Sequence, residues 1–125
     1  MLIPTIHFNG NCNEAIAYYK EALGAKINTI AYDEKNASAN FVMHSELEIF
    51  GTVVSMTDGN EVPVNSESFC FTLFLDTDEE ARSVFNKLSE GGKIAEPLAP
   101  QFWASLHGYL TDRFGVSWSV NTKHS

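Results

Sequence analysis

The chain has 125 residues, 44% of them hydrophobic and 19% charged, which is enough apolar material for one ordinary folded domain and excludes intrinsic disorder. Sixteen acidic side chains against eight basic ones leave a formal charge of -8, which opposes the phosphate neutralisation behind nucleic-acid affinity, so no nucleic-acid partner is expected. The opening MLIPTIHFNG lacks a basic region followed by a long apolar run, and no stretch of about 18 apolar residues occurs; no membrane span is expected, and a cytoplasmic location is.

From Leu2 to Phe8 the residues are β-rich and alternate. Asn11 with Glu14 three positions on then looks like a capping box, and Ala15, Ile16, Tyr19, Ala22 and Leu23 recur at helical spacing up to Gly24, a residue suited to a left-handed C-cap. Strands are predicted at about Lys26–Tyr32, Asn40–Phe50 and Thr52–Met56, giving the order βαβββ. Within the second of these, Phe41, Met43, Leu47 and Ile49 share one parity and Val42, His44, Glu46 and Glu48 the other, so the second set faces solvent or a cavity. Thr57 to Ser68 is polar and reads as a linker. The order then returns. A strand at Phe69–Leu75 leads to a capping box at Thr77 and Glu80 and to a helical stripe of Ala81, Val84, Phe85 and Leu88 ended by Gly91-Gly92; strands follow at about Lys93–Pro97, Phe102–Leu110 and Val116–Asn121.

A shift of 66 (74 minus 8) lays Phe8 on Phe74, Glu14 on Glu80, Ala15 on Ala81 and Tyr19 on Phe85. A shift of 64 (114 minus 50) lays Phe50-Gly51 and Ser55 on Phe114-Gly115 and Ser119. Matches that arrive in the same order as the structural signals indicate internal duplication. The expected fold class is α+β: one domain of two βαβββ modules, at about 1–57 and 68–122, with a helix on one face of each mixed sheet.

The segments PTIHFNGNCNEAIAYYKEALGAKI, VMHSELEIFG and FWASLHGYLTDRFGVSW together resemble the PhnB-like branch of the glyoxalase, bleomycin-resistance and extradiol-dioxygenase superfamily, the vicinal oxygen chelate proteins; the branch also carries the label demethylubiquinone-methyltransferase-like. The likeness covers nearly the whole chain. It implies paired modules curved around a concave cavity that encloses a ligand, commonly assembled as homodimers. Metal-dependent enzymes of the superfamily hold a divalent ion through four side chains, on the first and last strands of each module. Matched by position, those places fall on Pro4, Ser55, Cys70 and Ser119. Proline has no side-chain donor and neutral hydroxyls are poor ligands for zinc, nickel or manganese, so neither a metal nor another cofactor is expected.

His44-x-Glu46-x-Glu48 is the nearest thing to a ligand cluster, but alternate strand residues stand about 6 to 7 Å apart and converge on one ion only with help from a second strand. His44 alone reads as a catalytic acid, base or hydrogen-bond donor in a pocket, with Glu46 beside it. His107 and Tyr109 share a parity that Trp103 and Ser105 continue, and the family pattern turns that face toward the cavity. Aromatic walls with a few polar groups suit a small molecule, although the same residues serve equally well as core or dimer surface. Cys70 and Ser119 complete the ligand-binding set, Cys70 as an inert thiol sooner than as a nucleophile. Cys12, in the first turn of the first helix, reads mainly as packing, and the two cysteines match no disulfide or zinc spacing. Asp112-Arg113-Phe114-Gly115 reads as a tight turn, His7 as facing the helix layer, and His124 as part of a tail.

Three functions are compatible with these residues. The first is a metal-independent module that binds an unknown small molecule, sequestering or sensing it, with the negative net charge favouring a cation. The second is an enzyme with His44 as acid or base and His107 or Tyr109 as partner, acting on a small oxygenated substrate with or without a relocated divalent metal. The third is a structural dimer without a ligand.

Overall fold

The computed structural model describes residues 1–33, 35 and 40–123. Its elements run β1 (Thr5–His7), α1 (Cys12–Leu23), β2 (Lys26–Tyr32), β3 (Val42–Ile49), β4 (Thr52–Thr57), β5 (Phe71–Leu75), α2 (Asp78–Ser89), β6 (Lys93–Gln101), β7 (Ala104–Thr111) and β8 (Ser117–Thr122). They divide between two units, Met1–Val64 and Asn65–Ser125. Each unit is βαβββ with one four-stranded sheet, ordered β1-β4-β3-β2 in the first and β5-β8-β7-β6 in the second. The first strand of each unit lies parallel to the last, and the other pairs are antiparallel, so both sheets are mixed and the class is α+β. Since the first and second strands of a unit occupy opposite edges of its sheet, the helix between them carries the chain across one face.

The helices start differently. Thr77 caps α2 as its sequence predicts, its Oγ1 accepting from the Glu80 N–H at 3.1 Å. Asn11 makes no side-chain cap for α1. Asp58, one residue past β4, replaces it: Oδ1 accepts from the Cys12 N–H at 3.0 Å and Oδ2 from the Val42 N–H at 2.9 Å. One carboxylate thereby satisfies the end of a helix and the start of a strand, and its charge suits the positive end of the helix dipole. Gly24, at φ 65°, closes α1 through a bond from its N–H to the Lys20 carbonyl.

Part of the expected linker belongs to the units themselves. Thr57 ends β4, the Asn60 N–H donates to the Phe8 carbonyl at 3.0 Å, and buried Ser66 bonds the Gly115 carbonyl at 2.9 Å.

Each helix buries its apolar stripe against one row of its sheet. A Cβ at Gly108 would come within 2.6 Å of the Phe85 ring, which sets Leu106, Gly108 and Leu110 of β7 toward α2. Trp118 and Val120 of β8 face Leu110 and Gly108 across the ladder and join that core with Leu73 and Leu75. In the first unit Leu47, Ile49, Val54 and Met56 are buried with Ala15, Ile16, Tyr19, Ala22 and Leu23. Burying each large apolar side chain contributes about 1.5 to 3 kcal/mol.

Register refines the internal repeat. Thr5 faces Ser55 and Thr72 faces Ser119, so the serines correspond as the shift of 64 predicts. The first strands correspond by 67 (72 minus 5), one more than predicted, and Phe8 therefore matches Leu75. Phe8 and Leu75 are buried, whereas Phe74 is exposed. Glu46 faces Ser55 and Tyr109 faces Ser119, which makes His44 and His107 equivalent, both two residues earlier. Ser45 and Gly108 are equivalent for the same reason.

Several strands depart from expectation. The first strand is only Thr5–His7, because pairing with β4 spans three rungs. Phe102 and Trp103 form the two-residue turn of a hairpin in which Gln101 faces Ala104, so β6 is longer and β7 starts later than predicted. In β3 the register steps from Ala31 opposite His44 to Tyr32 opposite Val42, leaving Met43 as the extra residue of a bulge. The parity inverts there: Val42 is fully buried and Met43 is exposed, the reverse of the simple alternation.

Candidate functional site

In the second unit, the rows that alternate with the core rows look away from α2: Tyr109 and His107 on β7, Ser119 and Asn121 on β8, Thr72 on β5. Asn121 is the organising residue. Its Nδ2 donates to the Leu73 carbonyl at 3.2 Å and to Ser119 Oγ at 3.0 Å, and its Oδ1 lies 2.7 Å from His107 Nδ1. A carbonyl oxygen accepts only, so the amide nitrogen must face Leu73 and the amide oxygen must face the imidazole. His107 Nδ1 therefore carries a proton and donates it to Asn121.

That assignment leaves Nε2 as the working atom of the ring. Glu96 Oε2, from β6, lies 3.1 Å from Nε2. Because Nδ1 is already a donor, this contact is a hydrogen bond only when Nε2 also bears a proton, that is, in the imidazolium. The Trp103 ring lies 4.7 Å from the His107 ring, tilted by 57°. His107 is thus held on three sides, by an amide, a carboxylate and an indole.

The other predicted residues of this unit fall around that centre. Tyr109 and Ser119 face one another on the next rung, and Glu96 faces Tyr109 from β6. Cys70 precedes β5, with Sγ 3.8 Å from Thr72 Oγ1, and Thr72 faces Ser119. Ser105 leaves the row: its hydroxyl bonds both carboxylate oxygens of Asp78, at 2.9 and 3.1 Å, at the start of α2.

The first unit is less organised at the equivalent place. His44 is 52% exposed and meets Glu46 at 3.9 Å, the outer limit of an ion pair. His7, predicted to face the helix layer, instead pairs with Thr57 on the opposite face, Nδ1 lying 3.2 Å from Thr57 Oγ1, because Ile6 and Phe8 take the inward parity. Cys12 is buried, and burial, with the Asp58 charge adding to it, pushes its thiol up from 9.0 to about 12. A thiol so placed stays protonated and serves as packing, the role its sequence position suggests. His124 lies outside the described residues.

The positions that would hold the superfamily's divalent ion do not fit one. Ser55 Oγ donates to the Ser45 carbonyl at 2.9 Å, Ser119 Oγ accepts from Asn121, and Pro4 contributes only its carbonyl, which accepts from the Ser55 N–H. Neutral hydroxyls already bonded to protein make a poor set for a transition metal. Among the described residues no group of three or more His, Cys, Asp or Glu side chains is arranged to share an ion.

Sequence reasoning did not single out Asn121 or Glu96. The alternation of Ser117, Ser119 and Asn121 with Trp118 and Val120 was the available signal for a polar row on the last strand.

Two βαβββ units with parallel outer pairs, a helix on one face of each sheet and a polar row on the other, define the glyoxalase and bleomycin-resistance-like fold of the vicinal oxygen chelate proteins. The profile described as 3-demethylubiquinone-9 3-methyltransferase matches residues 1–121, and the chain belongs to this PhnB-like family. It is 34% identical over 139 aligned positions to Protein YjdN of Escherichia coli (strain K12), covering 96% of this chain and 93% of that protein. The solved structure of a putative 3-demethylubiquinone-9 3-methyltransferase, PhnB protein, from Bacillus cereus is similar at a TM-score of 0.88 and 25% identity, over 97% of this chain and 98% of that one. The fosfomycin resistance protein FosX of Listeria monocytogenes shares the fold, with a TM-score of 0.72 at 12% identity, over 97% of this chain and 90% of that one. No helix among the described residues is long and apolar enough to cross a membrane.

Proposed function

We propose that this PhnB-like chain is a small-molecule-binding module that works without a resident metal and holds its ligand against His107 and Trp103. The observation that carries the reading is the fixed imidazole: Asn121 sets the proton on Nδ1, and Nε2 is presented beside an indole and a carboxylate. A few oriented polar groups next to an aromatic surface are what a small ligand needs for orientation and for contact area. The test is a library screen by thermal shift. A ligand at a hundredfold excess over its Kd adds about 2.7 kcal/mol, which raises the Tm by on the order of ten degrees in a chain of this size. His107→Gln is expected to remove the shift and His44→Gln to leave it. If the library produces no shift that depends on His107, the proposal fails. Assembly as a homodimer belongs to this proposal, and sedimentation equilibrium tests it.

A second reading has its own observation. A ring with one nitrogen fixed as donor and the other presented is also the arrangement of a general acid or base. If the chain is an enzyme, His107 is the better placed histidine and His44 the worse, since His44 is half exposed and has only a distant carboxylate to orient it. Turnover lost in His107→Gln and kept in His44→Gln would support this reading; the opposite pattern would restore His44.

A further inference from the structure

We infer that the ligand of this face is an organic cation with a flat apolar body, its charge paired with Glu96 and its body laid on Trp103; the inference rests on the small-molecule reading above. Trp103, at the tip of the β6–β7 hairpin, is 42% exposed, and the Glu96 side chain is 63% exposed, whereas the His107 side chain between them is only 12% exposed. An incoming molecule therefore meets the indole and the carboxylate before the imidazole.

Glu96 and Trp103 already converge on one flat nitrogen heterocycle of the protein itself, the carboxylate lying 3.1 Å from His107 Nε2 and the indole 4.7 Å from its ring. An external cation uses the same two groups, the quadrupole of the indole and the charge of Glu96. An anion would have to approach a carboxylate, and none of the side chains joined here, Glu96, Trp103, His107, Ser119 and Asn121, is a lysine or arginine that would offset the repulsion. The formal charge of -8 acts in the same direction by raising the local concentration of cations.

The experiment is calorimetric titration of the full chain with three probes of nearly one shape: 1-methylquinolinium as the cation, 1-methylnaphthalene as the neutral isostere and 1-naphthalenesulfonate as the anion. The cation is expected to bind at least tenfold more tightly than either of the others. Glu96→Gln is expected to weaken the cation about three- to tenfold and to leave the neutral probe unchanged, and Trp103→Ala to weaken both. Both variants alter exposed side chains, and melting curves check that they fold. Equal or tighter binding of the sulfonate, or a cation affinity indifferent to Glu96→Gln, overturns the cation class while leaving the small-molecule reading in place. Absence of heat from all three probes at millimolar concentration also overturns the cation class; the library screen then decides the broader reading.

Discussion

The two units place a histidine at the same point of related sheets and surround it differently. In the second unit Asn121, one strand over, reaches His107 at 2.7 Å. In the first unit the residue corresponding to Asn121 is Thr57, which pairs with His7, where the second unit has Phe74. The first sheet thus directs its polar group on the last strand toward the edge strand and leaves His44 to solvent. The second sheet has an apolar residue on that edge and directs its polar group inward to His107. The orientation of a strand histidine is decided here by the neighbouring strands, and the histidine itself carries little information about it.

The contrast can be broken at several points. The largest expected effect concerns the thiols. At pH 8 in the native protein the thiolate fraction of Cys12 lies about a thousandfold below that of an ordinary cysteine, since its pKa moves from 9.0 to about 12. Iodoacetamide followed by mass spectrometry should modify Cys70 and reach Cys12 only after denaturation; labelling of both at similar rates would contradict the sealed first turn. Next come the buried aspartates. Asp112 accepts from the Phe114 and Val116 N–H groups and from Trp118 Nε1, so Asp112→Ala should cost about 3 to 5 kcal/mol in urea unfolding. Asp58 accepts from two backbone donors, and Asp58→Ala should cost about 2 to 3 kcal/mol. A reversed order would mean that the first unit depends on its carboxylate more than the second does.

Smaller effects separate the sheets themselves. Gly108→Ala drives a methyl into Phe85 and should cost about 1 to 3 kcal/mol. Ser45→Ala, at the equivalent rung, removes a bond to the Met56 carbonyl and should cost about 1 kcal/mol. Asn121→Leu should cost about 1 to 2 kcal/mol and release His107, visible as mixed tautomers in proton–nitrogen correlation spectra of the ring. Thr57→Val should leave the His44 spectrum unaltered, and a change there would show that the first sheet does orient its histidine. The least effect is expected of His44→Ala, within about 0.5 kcal/mol, as for a surface side chain.

Helical stripes, the glycine after α1 and the Thr77 cap follow from local chemistry, and all were legible in the sequence. So was the correspondence of Ser55 with Ser119. The slip at the first strands was not, because Phe71, Leu73, Phe74 and Leu75 place apolar residues on both parities and a one-residue shift changes nothing in the pattern. Met43 looked like a core residue because a bulge leaves no local mark. Asn11 looked like a cap because the residue that does the capping, Asp58, is 46 positions away. At the candidate site the aromatic and imidazole groups were recognised, but their partners required register. Glu96 stands between two register shifts of β6 and just before Pro97, where simple alternation fails. His44 stands out in the sequence because it lies in the family-like segment VMHSEL, while the contacts that fix His107 come from other strands.

Asp58, Asn60 and Ser66 have a practical consequence for dissecting the gene. The polar stretch that looks like one long spacer is fastened at both ends, and only Glu61 to Asn65 remain between the fastenings. A cut made at Thr57, where the last strand of the first unit ends, would take Asp58 from the helix it caps; a cut between Glu61 and Val64 would leave each half its own clasp.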